Sequence, residues 1–177
     1  MTYGKREVEQ VQRDGTVVMD VDCSLSQREL QQAVMEHFPE TWVENGLLRG
    51  KYGTTQYSAF LRNVTYLGKP HPPFRKRIQI PKDFLELYQQ SQQRGIEMLL
   101  IGVYTHGDVR LFCDFDLRQY VQRYLHNSSA HVHTSDLQGA LQEGMMQRPD
   151  VRGNIITVFD PAHVEDFLRW KFAAVPV

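Results

Sequence analysis

Two apolar runs separated by a short turn place the strongest limit on how this chain can fold. Residues 96–104 read IEMLLIGVY, residues 109–116 read VRLFCDFD, and THGD (residues 105–108) lies between them. Glycine accepts the positive φ that a two-residue hairpin turn requires, so the pattern predicts an antiparallel hairpin. Pairing Thr105 with Asp108 across the turn then sets the register of every other pair in the two strands.

This register predicts a group of carboxylates at one end of the hairpin. Glu97 faces Asp116, and Asp114 lies two residues earlier on the same strand. Acids on adjacent strands can hold a divalent metal that polarises a phosphate and activates water. The candidate catalytic set is therefore Glu97, Asp114 and Asp116, with Mg²⁺ as the cofactor if the chain is a nuclease. The lysine that usually completes such a site is absent from CDFD, and the alternative is a set of solvated acids.

Helix signals dominate the first half of the chain. Ser26 and Glu29 form a capping box that predicts the first helix. A second helix is predicted over residues 55–67, with Gly68 as its C-terminal cap. Its apolar positions recur at helical spacing; they are Tyr57, Phe60, Leu61, Val64 and Leu67.

The order of elements in this half is typical of a winged helix-turn-helix. A basic loop, KPHPP, and an alternating strand, FRKRIQI, follow the second predicted helix. In that fold the second helix enters a DNA groove and the loop contacts phosphates. The predicted fold class is α+β, with a winged-helix-like DNA-binding region over residues 1–80 packed with a small mixed α/β region over residues 81–177 in one compact unit.

The second region carries its own start and stop signals. Pro81 is a suitable first helical residue, and the helix that it begins is predicted to end at Gly95. Ser135 or Asp136 caps a further helix that ends at Gly144, and a polar loop, MMQRPDVRGN, precedes the strand IITVF. Asp160 and Pro161 begin a closing helix.

The positive charge of the chain is concentrated in one window. The whole sequence has 20 basic and 21 acidic residues, yet residues 45–82 contain no acid. Their eight basic residues are Arg49, Lys51, Arg62, Lys69, Arg75, Lys76, Arg77 and Lys82. Such an asymmetry favours a polyanionic partner over an ordinary solvated face, in which acids alternate with bases.

A polar, histidine-containing segment follows later in the chain. His131 and His133 flank Val132, so a strand would place both imidazoles on one face. The predicted DNA-binding residues come from this segment and the basic window; they are Lys51, Thr55, Gln56, Arg62, Asn63, Lys69, His71, Arg75, Lys76, Arg77, Asn127, Ser128, Ser129 and His131. A capped polar loop is the alternative for the later segment.

Other classes of protein lose support from what the sequence lacks. It contains no GxxxxGK[ST], GxGxxG or GxSxG motif, which disfavours nucleotide hydrolases and α/β-hydrolases. No apolar run approaches the ~18 residues of a membrane span, and the N-terminus has no apolar signal core. Cys23 and Cys113 are expected to be reduced thiols in a cytoplasmic protein.

Taken together, the basic half, the polar α/β half and the dipeptide His163-Val164 resemble the BisI-like modification-dependent type II restriction endonucleases. The resemblance extends over the whole chain and rests on organisation more than on a sharp motif. It implies double-stranded DNA carrying 5-methylcytosine as the partner, a homodimer, and methyl sensing by His163 and Val164, with His131 and Val132 as the alternative pair. Arg62 and Arg75 are candidates for the arginine that assists.

The predicted function is therefore sequence-specific DNA binding that senses 5-methylcytosine, as part or all of such an endonuclease; whether this chain cleaves is left open. One alternative is a winged-helix transcription regulator. Another is a metal-dependent nickase that uses His131 and His133, with Tyr120 or Tyr124 as the nucleophile. A protein-interaction module, which would not bind DNA, is the last.

Overall fold

The computed structural model describes residues 6–81, 83–117, 128–150 and 153–173, and only the backbone of Ser128 and Ser129. The helices are α1 (Gln27–Met35), α2 (Phe84–Gln93), α3 (Thr134–Glu143) and α4 (Val164–Lys171), with a 3-10 turn at Pro161–His163. The strands are β1 (Glu7–Val11), β2 (Val17–Val21), β3 (Thr41–Glu44), β4 (Leu47–Tyr52), β5 (Thr55–Asn63), β6 (Thr65–Tyr66), β7 (Arg75–Ile80), β8 (Glu97–His106), β9 (Val109–Phe115), β10 (Ser128–His133), β11 (Met145–Pro149) and β12 (Ile155–Phe159).

A mixed sheet of seven strands, in the order β11-β12-β9-β8-β5-β4-β3, forms the centre of the fold. All of its neighbouring strands are antiparallel except β5 and β8, which are parallel. A smaller sheet has the order β10-β7-β6, and β1 pairs with β2 in a separate hairpin. Strands from both halves of the chain therefore form the main sheet.

Each face of the main sheet is covered by its own apolar core. On one face, Val34 of α1 and Phe167 of α4 pack with Ile101 of β8 and Phe112 of β9. On the opposite face the core contains residues of α2, α3 and the small sheet, among them Ile78. Because side chains alternate along a strand, each central strand supplies apolar residues to both cores.

Several sequence predictions are confirmed. Ser26 caps α1 through the predicted capping box with Glu29, and Gly144 ends α3 with a φ of 82°. A helix does follow Pro81, but it begins at Phe84 with Asp83 as its N-cap, and the N-cap of α3 is His133 and not Ser135 or Asp136. Asp160 caps the 3-10 turn that leads into α4, accepting a hydrogen bond from the backbone N–H of His163. The strand that follows KPHPP is β7.

The predicted second helix is wrong. Residues 55–63 form β5, which lies between β4 and β8 in the main sheet, and Thr65–Tyr66 form β6. Gly68 therefore ends no helix, and the winged-helix arrangement is not confirmed. The polar loop predicted before IITVF is also wrong in part, because Met145–Pro149 form an edge strand.

The hairpin of β8 and β9 is confirmed, but its register is not the predicted one. His106 pairs with Val109, and Ile101 pairs with Asp114. The turn is thus made by Gly107, with a φ of 55°, and Asp108. Placing Gly107 at the first central position of the turn shifts every pair by two residues, so Glu97 does not face Asp116.

Among the described residues, no helix combines the length and the apolar character needed to cross a membrane.

Candidate functional site: a basic sheet face and an acidic cleft

The small sheet brings together two segments that the sequence analysis treated separately. Strand β10 pairs with β7 so that His131 lies opposite Arg77 and His133 lies opposite Arg75. Ile78 of β7 and Val132 of β10 are buried in the core, so the alternating side chains point the other way. We call the outward surface that carries Arg75, Arg77, His131 and His133 the basic face.

The basic face is positively charged and partly open to solvent. Within the described part of the chain, neither Arg75 nor Arg77 has a carboxylate at ion-pair distance, and Nε of Arg75 has no hydrogen-bond partner. Burial, followed by the charges of Arg75, His71, His133 and Arg77, lowers the pKa of His131. Phe74, which is exposed, contacts His133 edge-on at a centroid distance of 5.4 Å.

One acid beside this face is already neutralised. The carboxylate of Asp136 binds Arg148 through two hydrogen bonds of 2.6 and 2.8 Å, and it also accepts the backbone N–H of His133. A two-point arginine pair of this kind is geometrically specific and strong. Asp136 therefore fixes the end of β10 and adds little negative charge to the basic face.

Other predicted DNA-binding residues do not lie on this face. Lys76 points into the protein, is 0% exposed, and bonds Asp22 at 3.0 Å. The side chain of Asn63 exchanges two 2.9 Å hydrogen bonds with the backbone of Leu25, which holds the segment before α1 against β5. Both residues have structural partners, so we leave them out of the proposed DNA surface.

The remaining predicted residues are distributed over the surface. Lys51 and Gln56 are exposed and lie opposite each other on β4 and β5 of the main sheet. Arg62 of β5 is half-buried, with its guanidinium over the ring of Phe60. His71 and the exposed Lys69 belong to the loop between β6 and β7.

Neither predicted methyl-sensing pair has an accessible valine. Val164 is 2% exposed at the start of α4, and Val132 is 0% exposed, because both belong to the apolar cores. His163 is held by a 2.7 Å contact between its Nδ1 and Oδ1 of Asp160, which raises the pKa of His163. A buried valine cannot cover a methyl group in a DNA groove, so this part of the prediction needs correction.

The three predicted carboxylates do line one cleft, at the end of the main sheet. Its volume is about 700 Å³, and we call it the acidic cleft. Glu97 lies at the start of β8, Asp114 lies near the end of β9, and Asp116 follows directly after that strand. Its other lining residues include Lys171 and two aromatic side chains, Tyr88 of α2 and Trp170 of α4.

Asp114 is the most constrained group of the acidic cleft. It is 1% exposed; Oδ2 accepts a hydrogen bond of 2.9 Å from Nζ of Lys171, and Oδ1 has no hydrogen-bond partner. Burial raises the pKa of Asp114 to about 6, although the Lys171 ammonium opposes this shift. A buried acceptor without a donor costs free energy, and native structures contain few of them. Oδ1 of Asp114 is therefore a candidate site for a hydrogen bond from a ligand.

The acidic cleft does not fit the predicted metal. Within residues 6–81, 83–117, 128–150 and 153–173, no group of three histidine, cysteine or acidic side chains is arranged to hold an ion. One oxygen of Asp114 is moreover committed to Lys171. We therefore derive no reaction step through Mg²⁺.

Lys171 and Trp170 were missed by the sequence analysis. Lys171 is 57 residues away from Asp114 in sequence, and no local pattern links a lysine on the last helix to a strand-end acid. The predicted nucleophiles Tyr120 and Tyr124, together with Asn127, lie outside the described residues. The side chains of Ser128 and Ser129 do so as well.

The family model described as methylase-associated X1 matches residues 55–168, more than half of the chain. The matched segment contains β5, both strands of the β8–β9 hairpin, and the basic face. This association with methylases suggests a restriction-modification context, but it does not single out the BisI-like enzymes. No curated protein and no solved structure matches the chain.

Proposed function

The chain belongs to the methylase-associated X1 family, and from that premise we propose that it binds double-stranded DNA through its basic face within a restriction-modification system. One observation carries this proposal. Arg75 and Arg77 lie directly opposite His133 and His131 on adjacent strands, so two arginines and two imidazoles share one surface. The sequence separates these groups by more than fifty residues.

The chemistry of this surface suits a phosphate backbone. Arginine presents a planar set of N–H donors that matches phosphate oxygens, and it stays charged at every relevant pH. Within the described part of the chain no carboxylate lies at ion-pair distance from Arg75 or Arg77, so both positive charges can meet phosphate oxygens without first leaving an acid. Contacts of this kind fix the orientation of a protein on DNA but carry no sequence information.

A preference for 5-methylcytosine is a second and separate part of the proposal. Its support is the resemblance to BisI-like endonucleases together with the methylase association of the family. Because Val132 and Val164 are buried, we do not assign the preference to either His-Val pair. The homodimer that the resemblance implies likewise stays a prediction, which sedimentation velocity can check.

Salt-dependent binding to a duplex tests the first part. In the variant Arg75→Gln/Arg77→Gln, the affinity for any duplex should fall, because fewer phosphates are neutralised. The slope of log affinity against log salt should become shallower by up to about 0.9 for each phosphate that the protein no longer neutralises. Methylated and unmethylated duplexes of the same sequence, titrated side by side, test the second part.

The matched control is Arg28→Gln/Arg169→Gln. Arg28 of α1 and Arg169 of α4 are exposed arginines on the two helices that cover the opposite face of the main sheet. This variant removes the same charge, so its salt slope should equal that of the unmodified protein. If both variants weaken binding equally, the attraction is a general charge effect and the basic face is not the DNA surface.

A further inference from the structure

The acidic cleft has a chemical character that DNA binding through the basic face does not explain. Among the described residues its charged groups are three carboxylates, from Glu97, Asp114 and Asp116, and one ammonium, from Lys171. Its apolar lining includes flat aromatic surfaces from Tyr88 and Trp170. Trp170 is 42% exposed, which leaves much of its side chain open to a bound molecule.

The free oxygen of Asp114 indicates what a ligand must supply. Oδ1 is buried and has no hydrogen-bond partner, while Oδ2 is occupied by Lys171. Unpaired buried acceptors are rare in native proteins because each costs about 1–3 kcal/mol. A molecule that enters the cleft and donates an N–H to this oxygen would relieve that cost.

The charge of the cleft limits the ligand further. Among the described residues, the charged groups of the cleft are three carboxylates and one ammonium, and that ammonium is paired with Asp114. A phosphate group placed beside Asp114 would meet this excess of acidic groups and would be repelled. The ligand must therefore combine an N–H donor with a flat ring and must carry no negative charge at the end that enters.

We propose that the acidic cleft binds a nucleobase that carries an exocyclic amino group. The amino group donates to Oδ1 of Asp114, and the ring stacks against Trp170. Aromatic side chains bind bases in this way because every base has a π-face. The sugar and phosphate stay towards the open side of the cleft, away from the buried carboxylate of Asp114.

This inference rests on the proposed function in one respect, namely that DNA is the source of the base. A base inside a duplex cannot reach the cleft floor, so the nucleotide has to be unstacked or single-stranded. Taking a base out of a duplex costs a few kcal/mol, and a base that is already unpaired avoids that cost.

The two tryptophans of the chain make the test direct. Trp42 lies on the edge strand β3 and does not line the cleft. The variant Trp42→Phe therefore leaves Trp170 as the only tryptophan, and its fluorescence reports on the cleft alone. Titrations use free nucleosides, which carry no phosphate and do not depend on the basic face.

Matched nucleosides isolate the amino group. Deoxycytidine and deoxyuridine differ at position 4 of the ring, where only the former has an amino group, and deoxyadenosine and deoxyinosine differ in the same way at position 6. We expect saturable quenching by deoxycytidine or deoxyadenosine. The affinity of that nucleoside should be about tenfold higher than the affinity of its partner without the amino group. The comparison between the two pairs identifies the preferred base.

Two variants connect the signal to named atoms. Asp114→Asn should weaken the preferred nucleoside about tenfold, because the charged acceptor is lost. If Asp114→Asn unfolds before it can be titrated, Trp170→Ala replaces a side chain that is 42% exposed, and binding to it is followed by calorimetry. Its affinity for the nucleoside should fall, with the amino-group preference retained through Asp114.

Three results would overturn the proposal. The first is no saturable response to any of the four nucleosides, and the second is equal affinity within each matched pair. The third is quenching of Trp170 by Mn²⁺ that Asp114→Asn abolishes, without any response to nucleosides, which would make the cleft a metal site. None of these results bears on duplex binding by Arg75 and Arg77, so the two proposals can fail separately.

Discussion

Nζ of Lys171 lies 2.9 Å from Oδ2 of Asp114, which joins the last turn of helix α4 to the end of strand β9. The pair is unequal, because Asp114 is 1% exposed while the side chain of Lys171 is 23% exposed. Burial raises the pKa of Asp114 to about 6 despite the ammonium. The ionised carboxylate is therefore less favourable in the folded protein than in the unfolded chain.

This shift predicts how stability depends on pH. The folded state holds the proton of Asp114 more tightly than the unfolded state does. Protonated Asp114 therefore adds to the free energy of unfolding below about pH 4, and this stabilisation is lost as the pH rises through about 6. The loss amounts to roughly 3 kcal/mol at most. Urea unfolding of the unmodified protein and of Asp114→Asn at several pH values checks this. As the pH rises from about 4 to about 6, the free energy of unfolding of the unmodified protein should fall relative to that of the variant. A constant difference would show that Asp114 is not buried as described.

The buried pair of Lys76 and Asp22 gives a second prediction. Asp22→Asn should cost about 3–5 kcal/mol, because it removes the carboxylate that pairs with the buried ammonium of Lys76 at 3.0 Å. The double variant Lys76→Met/Asp22→Asn removes both charges and should recover much of that loss. Urea denaturation of the two variants makes the comparison.

The same double variant separates Lys76 from the basic face. Its salt slope for duplex binding should equal that of the unmodified protein, because Lys76 is 0% exposed. A slope reduced as far as in Arg75→Gln/Arg77→Gln would return Lys76 to the DNA surface. Equal destabilisation of the single and double variants would contradict the role of the ion pair.

Gly102 of β8 marks the place where the small sheet packs closely on the main sheet. A Cβ at this position would lie 2.6 Å from Cγ2 of Val64 and 2.8 Å from Cγ2 of Ile78. Gly102→Ala should therefore lower the free energy of unfolding by about 1–3 kcal/mol. The control is Gly139→Ala in α3, where the nearest atom is Cγ of Met146 at 3.6 Å. That change should be neutral or stabilising by up to about 1 kcal/mol, and both values come from denaturant melts.

Duplex binding should strengthen as the pH falls. Burial and neighbouring positive charges hold the pKa of His131 below its usual value, so the imidazole is mostly neutral at pH 7. Protonation of His131 as the pH falls below the usual histidine pKa of about 6.5 adds a positive charge to the basic face, and DNA favours that form. Affinity titrations at constant salt should show this gain, with a smaller gain in His131→Gln. His37→Gln, which changes a histidine beside Phe112 on the opposite core, should leave the gain intact.

Local signals predicted several elements correctly because their causes are local. The capping box at Ser26 and the glycine at position 144 each act within one helical turn. The alternation of FRKRIQI likewise reflects one buried and one outward side of β7. In these segments the physics that fixes the backbone lies within a few residues.

The apolar spacing of residues 55–67 predicts a helix although residues 55–63 form a strand, because the middle of β5 is buried on both sides. Tyr57, Ser58 and Ala59 are all buried in succession, so the strand lacks the simple alternation of a half-exposed strand. Its apolar residues then match a helical spacing by coincidence. Only its neighbours β4 and β8 make it a strand, and no window of a single sequence contains them.

The candidate site was predicted in part. The three carboxylates do share one cleft, because a shift of two residues in register keeps each side chain on its face. The pairing of Arg77 with His131 and the hydrogen bond from Lys171 to Asp114 are tertiary contacts between residues far apart in sequence. No local sequence pattern predicts either contact.

The parallel pairing of β5 with β8 also has a consequence for how the chain reaches this structure. Tyr57 pairs with Glu97, so the middle of the sheet cannot close until the whole crossover through β6, β7 and α2 has been made. In the same way, β9 cannot pair with β12, and β7 cannot pair with β10, until the later strand of each pair has been made. Pairings so distant in sequence are slow to form, since the entropy of loop closure is lost before the strands begin to stabilise each other. On a ribosome, the edge of β5 would therefore stay open until β8 has been made, and the edge of β9 until β12 has been made; a chaperone would protect these edges best during those two intervals.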